Sequence, residues 1–262
     1  NQALKRYERF AWKPLRARSL RAVDRWIQDR LTDTDGVGAI FPAMLNAVFA
    51  LRGLGYGDGH PVYEQAIREL ERLELEDGEF LKVQPCFSPI WDTGLALYVL
   101  GKSGNEHLRP ALERAAQWLR TQEVKVRGDW AVKNPQGEPG GWAFEYRNPF
   151  YPDVDDTAQV LLGLEALYGP VQSRSMGCFQ RGLDWILSMQ NGDGGWSSFD
   201  KNNNRTALNH FPFADHNAIL DPPCSDITGR ALDVAAQGDA WFAVQGLGGT
   251  EASTRAGAFE AN

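Results

Sequence analysis

Four apolar segments, each beginning at or next to a proline, recur along this 262-residue chain, and this repetition limits the possible fold more than any other feature. The prolines are Pro42, Pro89, Pro152 and Pro222. The first three segments are followed by Gly55, Gly101 and Gly169. Proline at the start and glycine just past the end is the usual asymmetry of an α-helix. The pattern therefore predicts four apolar helices, three of them ending at a glycine.

Amphipathic segments alternate with these apolar helices. The four that we predict to be helical are Leu20–Gln28, His60–Leu75, Arg109–Gln122 and Met176–Gln190. Alternation of a buried helix with an amphipathic one indicates stacked helical pairs, because each pair must cover its apolar face with the next. Strand signals are few. We therefore expect an all-α fold, an α/α barrel (toroid) of helical pairs with the apolar helices inside.

Turns that contain Gly-x-Trp or Gly-Gly-Trp recur between the helices, and a long loop follows the last of them. The turns lie at Gly128–Trp130, Gly140–Trp142 and Gly194–Trp196. We expect these turns to tie the outer helices together. Residues 197–221 form a loop rich in asparagine and aromatic residues, and a loop of such length inside a compact domain is usually functional.

Three carboxylates fall in the first turn of the third apolar helix: Asp153, Asp155 and Asp156. One acid caps a helix and one or two balance its dipole, so ordinary capping leaves one carboxylate unexplained. Like charges in one turn repel, and this raises the pKa of the least solvated acid. An aspartic acid that stays protonated near neutral pH can act as a general acid. We interpret the cluster as a proton donor; the alternative is helix capping alone.

The other apolar helices also begin with acids, and we align them with this turn on their Asp-Thr positions. In this alignment Asp156 matches Asp92 and Asp226, and Asp155 matches Trp91 and Ser225. If the inner helices run parallel, the matched acids gather at one end of the barrel axis. Asp155 is then the one acid at its position, and we predict that it is the catalyst.

Composition narrows the classes of function. A net charge of −7 argues against nucleic acid as a partner, and no run of 18 apolar residues is present that would span a membrane. Three widely spaced cysteines fit a reducing compartment better than a disulfide framework or a zinc site. No phosphate loop, nucleophile triad or dinucleotide motif is present. We therefore predict neither a cofactor nor a metal.

Several motifs together resemble those of squalene–hopene cyclases. Residues 153–158, Asp-Val-Asp-Asp-Thr-Ala, are similar to the D-x-D-D-T-A motif of that family, and Arg181 to Trp196 resembles its QW repeat. Residues 88–93 (SPIWDT), 140–145 (GGWAFE) and 221–223 (DPP) also resemble the family in order and spacing. The resemblance covers about residues 3–233. It corresponds to the central part of a longer family chain.

The resemblance implies that a terminal alkene of squalene, or of a similar linear isoprenoid, is protonated and that a carbocation cascade then closes rings to hopene or hopanol. It implies that Asp155 donates the proton, with Asp153 and Asp156 beside it. It also implies support of the acid cluster by Asp226, Arg230 and Tyr151. In this scheme Arg230 pairs with Asp153. The residues that it places around the substrate are Trp91, Phe144, Phe199, Ile40 and Phe41. Squalene carries no diphosphate, so the reaction requires no metal.

The resemblance further implies peripheral (monotopic) association with the cytoplasmic side of a bacterial membrane, and it leaves a homodimer open. From about Asp233 the sequence departs from the family pattern. We therefore predict an incomplete α/α-barrel segment over residues 1–232 and a divergent, Ala/Gly-rich tail over residues 233–262. Two alternatives stay open. One is a class II diterpene cyclase that acts on a prenyl diphosphate, and the other is an inactive, truncated module of helical pairs.

Overall fold

The computed structural model describes residues 2–10, 13–210, 219–235, 242–245 and 251–254. These residues are mainly helical, which confirms the all-α class. The helices are α1 (Gln2–Phe10), α2 (Lys13–Leu31), α3 (Phe41–Leu54), α4 (Pro61–Glu71), α5 (Pro89–Lys102), α6 (Arg109–Thr121), α7 (Val154–Tyr168), α8 (Pro170–Arg174), α9 (Gly177–Ser188) and α10 (Ser225–Ala235). The strands are β1 (Glu74–Asp77), β2 (Phe80–Val83), β3 (Phe242–Gln245) and β4 (Glu251–Thr254). The chain divides into two compact units, Asn1–Phe87 and Ser88–Asn262.

In the first unit, α2, α3 and α4 pack together around a small apolar core. Its fully or nearly fully buried side chains include Ile27, Leu31, Val48, Leu51 and Ala66. The apolar helix predicted after Pro42 is α3, and its amphipathic partner is α4. Gly55 ends α3 with a φ of 103°, a left-handed conformation that glycine adopts without steric cost. The helical pair predicted here is therefore confirmed.

A hairpin corrects the predicted end of the second amphipathic helix. The helix α4 ends at Glu71, and Leu75 lies in β1, which pairs with β2 in antiparallel register from Glu74↔Val83 to Asp77↔Phe80. Gly78, with a φ of 65°, makes the tight turn between the two strands. The segment from residue 74 leaves the helix because Asp-Gly followed by β-forming residues is a hairpin signal.

The second unit contains two layers of helices. The inner layer is α5, α7 and α10, with α7 in the middle; in the outer layer, α6 packs against α5 and α9 packs against α7. Gly94 of α5 lies against Gln159 of α7, and Gly101 lies against Ala166. Contacts thus advance along both helices together, so α5 and α7 run parallel. The predicted pairing of apolar inner helices with amphipathic outer helices is confirmed.

Gly101 does not end its helix as predicted. The helix α5 continues to Lys102, and a Cβ atom on Gly101 would lie 3.1 Å from the carbonyl carbon of Ala166. A side chain at this position would therefore crowd the close approach of α5 to α7. Gly169, with a φ of 77°, does end α7.

The helix α7 is the most buried of the second unit, since ten of its 15 residues are buried. A helix that is buried on nearly all sides depends on packing against its neighbours. In the described part of the chain, none of the helices is both long and apolar enough to cross a bilayer. Within the predicted tail, the described residues form the end of α10 and the antiparallel pair β3–β4. The remainder of the tail lies outside the described residues, and the boundary at residue 232 stays a prediction.

Candidate active site

The first turn of α7 is held by the tryptophan of the second Gly-x-Trp turn. The indole N–H of Trp142 donates to the carbonyl of Leu119, in the last turn of α6 (2.7 Å). The backbone N–H of Trp142 donates to Oγ1 of Thr157 (2.9 Å), and its carbonyl accepts from the N–H of Asp153 (3.0 Å). Trp142 thereby connects the end of an outer helix to the start of an inner one.

The same bonds recur one repeat later, at the start of α10. The indole N–H of Trp196 donates to the carbonyl of Ile186 on α9 (2.7 Å). Its backbone N–H donates to Oγ1 of Thr228 (2.9 Å), and its carbonyl accepts from the N–H of Cys224 (2.9 Å). The two turns are therefore structurally equivalent, and the bonds of each connect an outer helix to the start of the next inner helix, whereas the prediction named only the outer helices.

These bonds determine which positions of α7 and α10 correspond. The pairs are Asp153 with Cys224, Asp155 with Asp226, Asp156 with Ile227, and Thr157 with Thr228. The alignment on Asp-Thr positions, which placed Ser225 opposite Asp155, is therefore wrong by one residue. The physical reason is that the cap hydrogen bonds, and not the prolines or the acids, set where each helix begins. Asp155 is thus not the one acid at its position.

Asp153 is the N-cap of α7 and is buried. One of its oxygens accepts the N–H of Asp156 (2.7 Å). Burial raises the pKa of Asp153 well above its usual value, and the nearby charge of Asp156 raises it further. A hydrogen bond from the Asp153 carboxyl to that of Asp156 also favours the protonated form. Burial and the neighbouring carboxyl thus both favour the protonated form of Asp153.

Asp156 is equally buried, and burial is the main cause that raises its pKa to about 7. The hydrogen bond with Asp153 lowers the pKa of Asp156, while the charges of Asp155 and Asp92 raise it. As ionised acceptors, Oδ2 of Asp153 and Oδ1 of Asp156 find no donor among the described residues. A proton shared by the two carboxyls removes this deficit. We call Asp153 and Asp156 the buried pair.

Asp155 differs from the buried pair because 28% of its side chain is exposed. Its Oδ1 accepts a hydrogen bond from Arg230 on α10 (2.7 Å). Burial raises the pKa of Asp155, and the charge of Asp226 adds to this effect, while Arg230 acts in the opposite direction. The balance is a raised pKa. Asp155 is therefore the member of the cluster that combines a raised pKa with a partly exposed side chain.

The prediction that Arg230 pairs with Asp153 is wrong, because the guanidinium reaches Asp155 instead. The N-cap position buries Asp153 and turns it towards the first turn of its own helix, so Asp155 presents the oxygen that Arg230 meets. The guanidinium of Arg230 also lies over the ring of Trp91, 4.8 Å from its centroid. This contact places Trp91 beside the acid cluster.

The other predicted site residues are distributed as follows. Asp226 is exposed and accepts a hydrogen bond from the Cys224 thiol (2.7 Å), which is the main cause that lowers its pKa. Tyr151 and Phe144 are half-buried in the segments that lead into the cluster, and Phe199 is 46% exposed. Ile40 and Phe41 lie in the first unit, where Ile40 pairs with Cys86. The structure thus brings together Asp153, Asp155, Asp156, Asp226, Arg230 and Trp91, and the roles of all these residues stay predictions.

Two acidic residues near the cluster were not among the predicted site residues. Asp92 acts on Asp156 through its charge, and its Oδ2 accepts a hydrogen bond from the Ser88 hydroxyl (2.9 Å). Asp221 accepts hydrogen bonds from three successive backbone N–H groups at the end of the Trp196 turn. The sequence signal for Asp221 is the Asp-Pro-Pro motif at residues 221–223. In the described ranges, no three His, Cys, Asp or Glu side chains are placed to hold a metal ion.

Comparison with known families gives two matches. The model of the squalene-hopene cyclase N-terminal domain matches residues 1–79, and that of the squalene-hopene cyclase C-terminal domain matches residues 87–244. Together these matches cover most of both compact units.

Individual relatives agree with the family matches. A squalene–hopene cyclase of Zymomonas mobilis is 39% identical over 246 residues, which is 90% of this chain and 37% of the relative. One of Bradyrhizobium diazoefficiens is 41% identical over 86% of this chain and 34% of the relative. One of Alicyclobacillus acidocaldarius is 36% identical over 94% of this chain and 39% of the relative. The chain therefore spans little more than a third of the length of these relatives.

Proposed function

The chain belongs to the squalene–hopene cyclase family, and on that premise we propose that the full-length protein protonates squalene and cyclises it to hopene or hopanol. The reaction is an isomerisation when a final proton is lost and a hydration when water captures the last cation. One observation carries the proposal: two buried carboxyls with raised pKa values lie behind a third carboxyl that is open to the outside.

In the proposed first step, the carboxyl of Asp155 transfers its proton to a terminal carbon of squalene, and the alkene becomes a tertiary carbocation. The raised pKa of Asp155 supports the presence of this proton before reaction. Arg230 then stabilises the carboxylate that is left, and so does the N-terminus of α7. Stabilising the conjugate base strengthens the acid. Arg230 and the N-terminus of α7 therefore both favour transfer of the proton to a base as weak as an alkene.

The buried pair supports this step by limiting negative charge. Because burial favours the protonated form of Asp153, three full charges in one helical turn are disfavoured. When Asp155 loses its proton, repulsion from Asp156 is reduced in proportion to the protonated fraction of Asp156. The buried pair therefore lowers the cost of forming the Asp155 carboxylate, while neither of its members is exposed enough to meet substrate.

The later cations require aromatic faces, because water or a nucleophilic side chain would quench them. A ring face stabilises a desolvated cation by about 2 kcal/mol or more. We propose this role for Trp91, Phe144 and Phe199, with Ile40 and Phe41 as apolar wall. The position of Trp91 beside Arg230 supports its place at the start of the cascade.

The proposal is tested with the full-length protein and squalene dispersed in detergent, with products identified by gas chromatography and mass spectrometry. We expect pentacyclic products, and we expect Asp155→Asn to reduce their rate by at least about 100-fold, the effect of a general acid. Asp193→Asn, an exposed loop variant, serves as the control. Geranylgeranyl diphosphate is offered in parallel. Conversion of that substrate alone would identify a class II diterpene cyclase, and conversion of neither substrate would identify an inactive module of helical pairs.

We also propose peripheral association of the full-length protein with the cytoplasmic side of a bacterial membrane. The basic helices α1 and α2 carry exposed aromatic residues, with Phe10 at 80% and Tyr7 at 64% exposure, and this composition supports contact with anionic lipid. Co-sedimentation with anionic and neutral vesicles tests the association. Analytical ultracentrifugation of the full-length protein decides between a monomer and a homodimer.

A further inference from the structure

We propose that Asp221 is a positioning residue, which holds the backbone of Phe199 in a fixed relation to the first turn of α7. The part of this proposal that concerns catalysis rests on the proposed cyclase function. The part that concerns the backbone rests on hydrogen bonds of the second unit alone.

The first support is the set of bonds that the Asp221 carboxylate accepts. Its Oδ2 accepts the N–H groups of Phe199 and Asp200, both at 2.7 Å, and its Oδ1 accepts the N–H of Ser198 at 3.3 Å. Hydrogen bonds to a charged acceptor are stronger than neutral ones. Two prolines follow Asp221 and fix the next two φ angles. Residues 198–200 are therefore held by a carboxylate on a stiff segment.

The second support is the connection of these residues to α7. The carbonyl of Ser198 accepts the N–H of Val154 (2.9 Å), which lies between Asp153 and Asp155. The first N–H groups of a helix have no partner within the helix, so this bond satisfies one of them from outside. The Asp221 carboxylate thus acts on the acid turn through one intermediate residue.

The third support is the exposure of the Phe199 ring. Phe199 is 46% exposed, so packing alone holds its ring weakly. The backbone N–H of Phe199 is bonded to Asp221, and this bond restrains the position from which the ring projects. If Asp221 is lost, both the ring and the first turn of α7 gain freedom relative to each other.

Asp193 offers a matched comparison. It also accepts a backbone N–H in a turn, that of Gly195 (3.1 Å), and it is exposed. No described bond joins it to residues 198–200 or to α7. Asp193→Asn removes a turn carboxylate without touching the connection from Asp221 to Val154.

The catalytic test uses full-length Asp221→Ala, Asp221→Asn and Asp193→Asn with squalene. We expect Asp221→Ala to lower kcat on the order of tenfold to 100-fold, with little change in KM, because misplacement of a reacting group affects the transition state. We also expect a larger share of incompletely cyclised products. Asp221→Asn has a smaller effect, since its remaining oxygen can accept the two shorter bonds. Product shares do not depend on how much protein is folded, so wild-type shares in both Asp221 variants would overturn the catalytic part.

A second measurement does not require activity. Amide hydrogen exchange is followed at Val154 and at residues 198–200 in the same variants. We expect faster exchange at all four amides in Asp221→Ala and wild-type exchange in Asp193→Asn. Unchanged exchange at Val154 in Asp221→Ala would overturn the connection to α7, whether or not squalene is converted. Failure of the wild-type protein to convert squalene would instead reject the proposed function and leave this result to decide the role of Asp221.

Discussion

The first turns of α7 and α10 share a scaffold and differ in their acids. Each is held by a tryptophan turn and a threonine, and each carries an aspartate at the corresponding position, Asp155 or Asp226. The pKa of Asp155 is raised and that of Asp226 is lowered. Asp226 is exposed and accepts a hydrogen bond from the Cys224 thiol, whereas Asp155 is half-buried and flanked by the buried pair. An acid at a helix start therefore does not become a proton donor through its position alone.

The difference lies in two neighbouring positions. The buried pair of α7 has Cys224 and Ile227 as its counterparts in α10, so α10 has no carboxyl at either place. Burying a carboxylate is costly unless it is paired or protonated. In the α7 turn, burial raises the pKa of both members of the buried pair and so favours a protonated carboxyl there. This comparison predicts that the buried pair governs pH dependence and that the shared scaffold governs stability.

The largest effect is expected for Asp156→Asn, which replaces a titrating buried carboxyl by a neutral amide. The folded-state pKa of Asp156 is raised from 3.8 to about 7, so the folded state binds more protons than the unfolded state between these values. Wild-type stability should therefore fall as pH rises through this window, relative to the variant, by up to about 4 kcal/mol at 1.36 kcal/mol per pKa unit. The difference is measured as the free energy of unfolding of both proteins in urea at pH 4, 6 and 8. Parallel stability curves would contradict the burial of a titrating Asp156.

The next effect concerns the shared scaffold. Thr157→Val leaves the backbone N–H of Trp142 without its acceptor, and Thr228→Val does the same to the backbone N–H of Trp196. Each change should cost about 1–3 kcal/mol of unfolding free energy. We expect the two variants to have similarly lowered Tm values in thermal unfolding. Thr157 also donates to the carbonyl of Asp153 (2.6 Å), so Thr157→Val alone should alter cyclisation kinetics beyond its loss of stability. Equal kinetic effects in both variants would break the comparison.

A third prediction tests the pairing of Asp155. Arg230→Gln removes the cation that lowers the pKa of Asp155, so this pKa should rise. The protonated donor then persists to higher pH, and the decline of cyclisation with rising pH should move upwards. The pH profile of kcat for the full-length protein measures this shift. An unmoved profile would show that Asp155 is not the titrating donor.

The smallest effect is expected for Asp226→Asn. The charge of Asp226 raises the pKa of Asp155, so its removal should lower that pKa and move the decline of kcat to lower pH. The shift should be smaller than the one that Arg230→Gln produces and opposite to it, because Asp226 is exposed and its field is screened by solvent. Shifts in the same direction for Arg230→Gln and Asp226→Asn would contradict the electrostatic assignment.

Sequence reasoning was most successful where the physical signal is local. Proline and glycine bounded α3, a capping acid was expected among the three carboxylates that begin α7, and the recurrence of the Gly-x-Trp turns was visible in the sequence. It was wrong where a pattern has two physical readings. Gly101 reads as a helix end but serves close packing, and Leu75 reads as amphipathic helix but belongs to a hairpin. Such choices depend on residues of another element.

The sequence by itself determined the all-α class, the alternation of helices and the crowding of three carboxyls in one turn, because each of these arises from spacing within a few residues. Only the tertiary structure decided which carboxyls are buried, which one meets Arg230, 75 positions away, and which residue of α10 corresponds to Asp155. Burial and ion pairing depend on surfaces that packing brings together. The order of pKa values in the cluster is therefore a property of the folded chain.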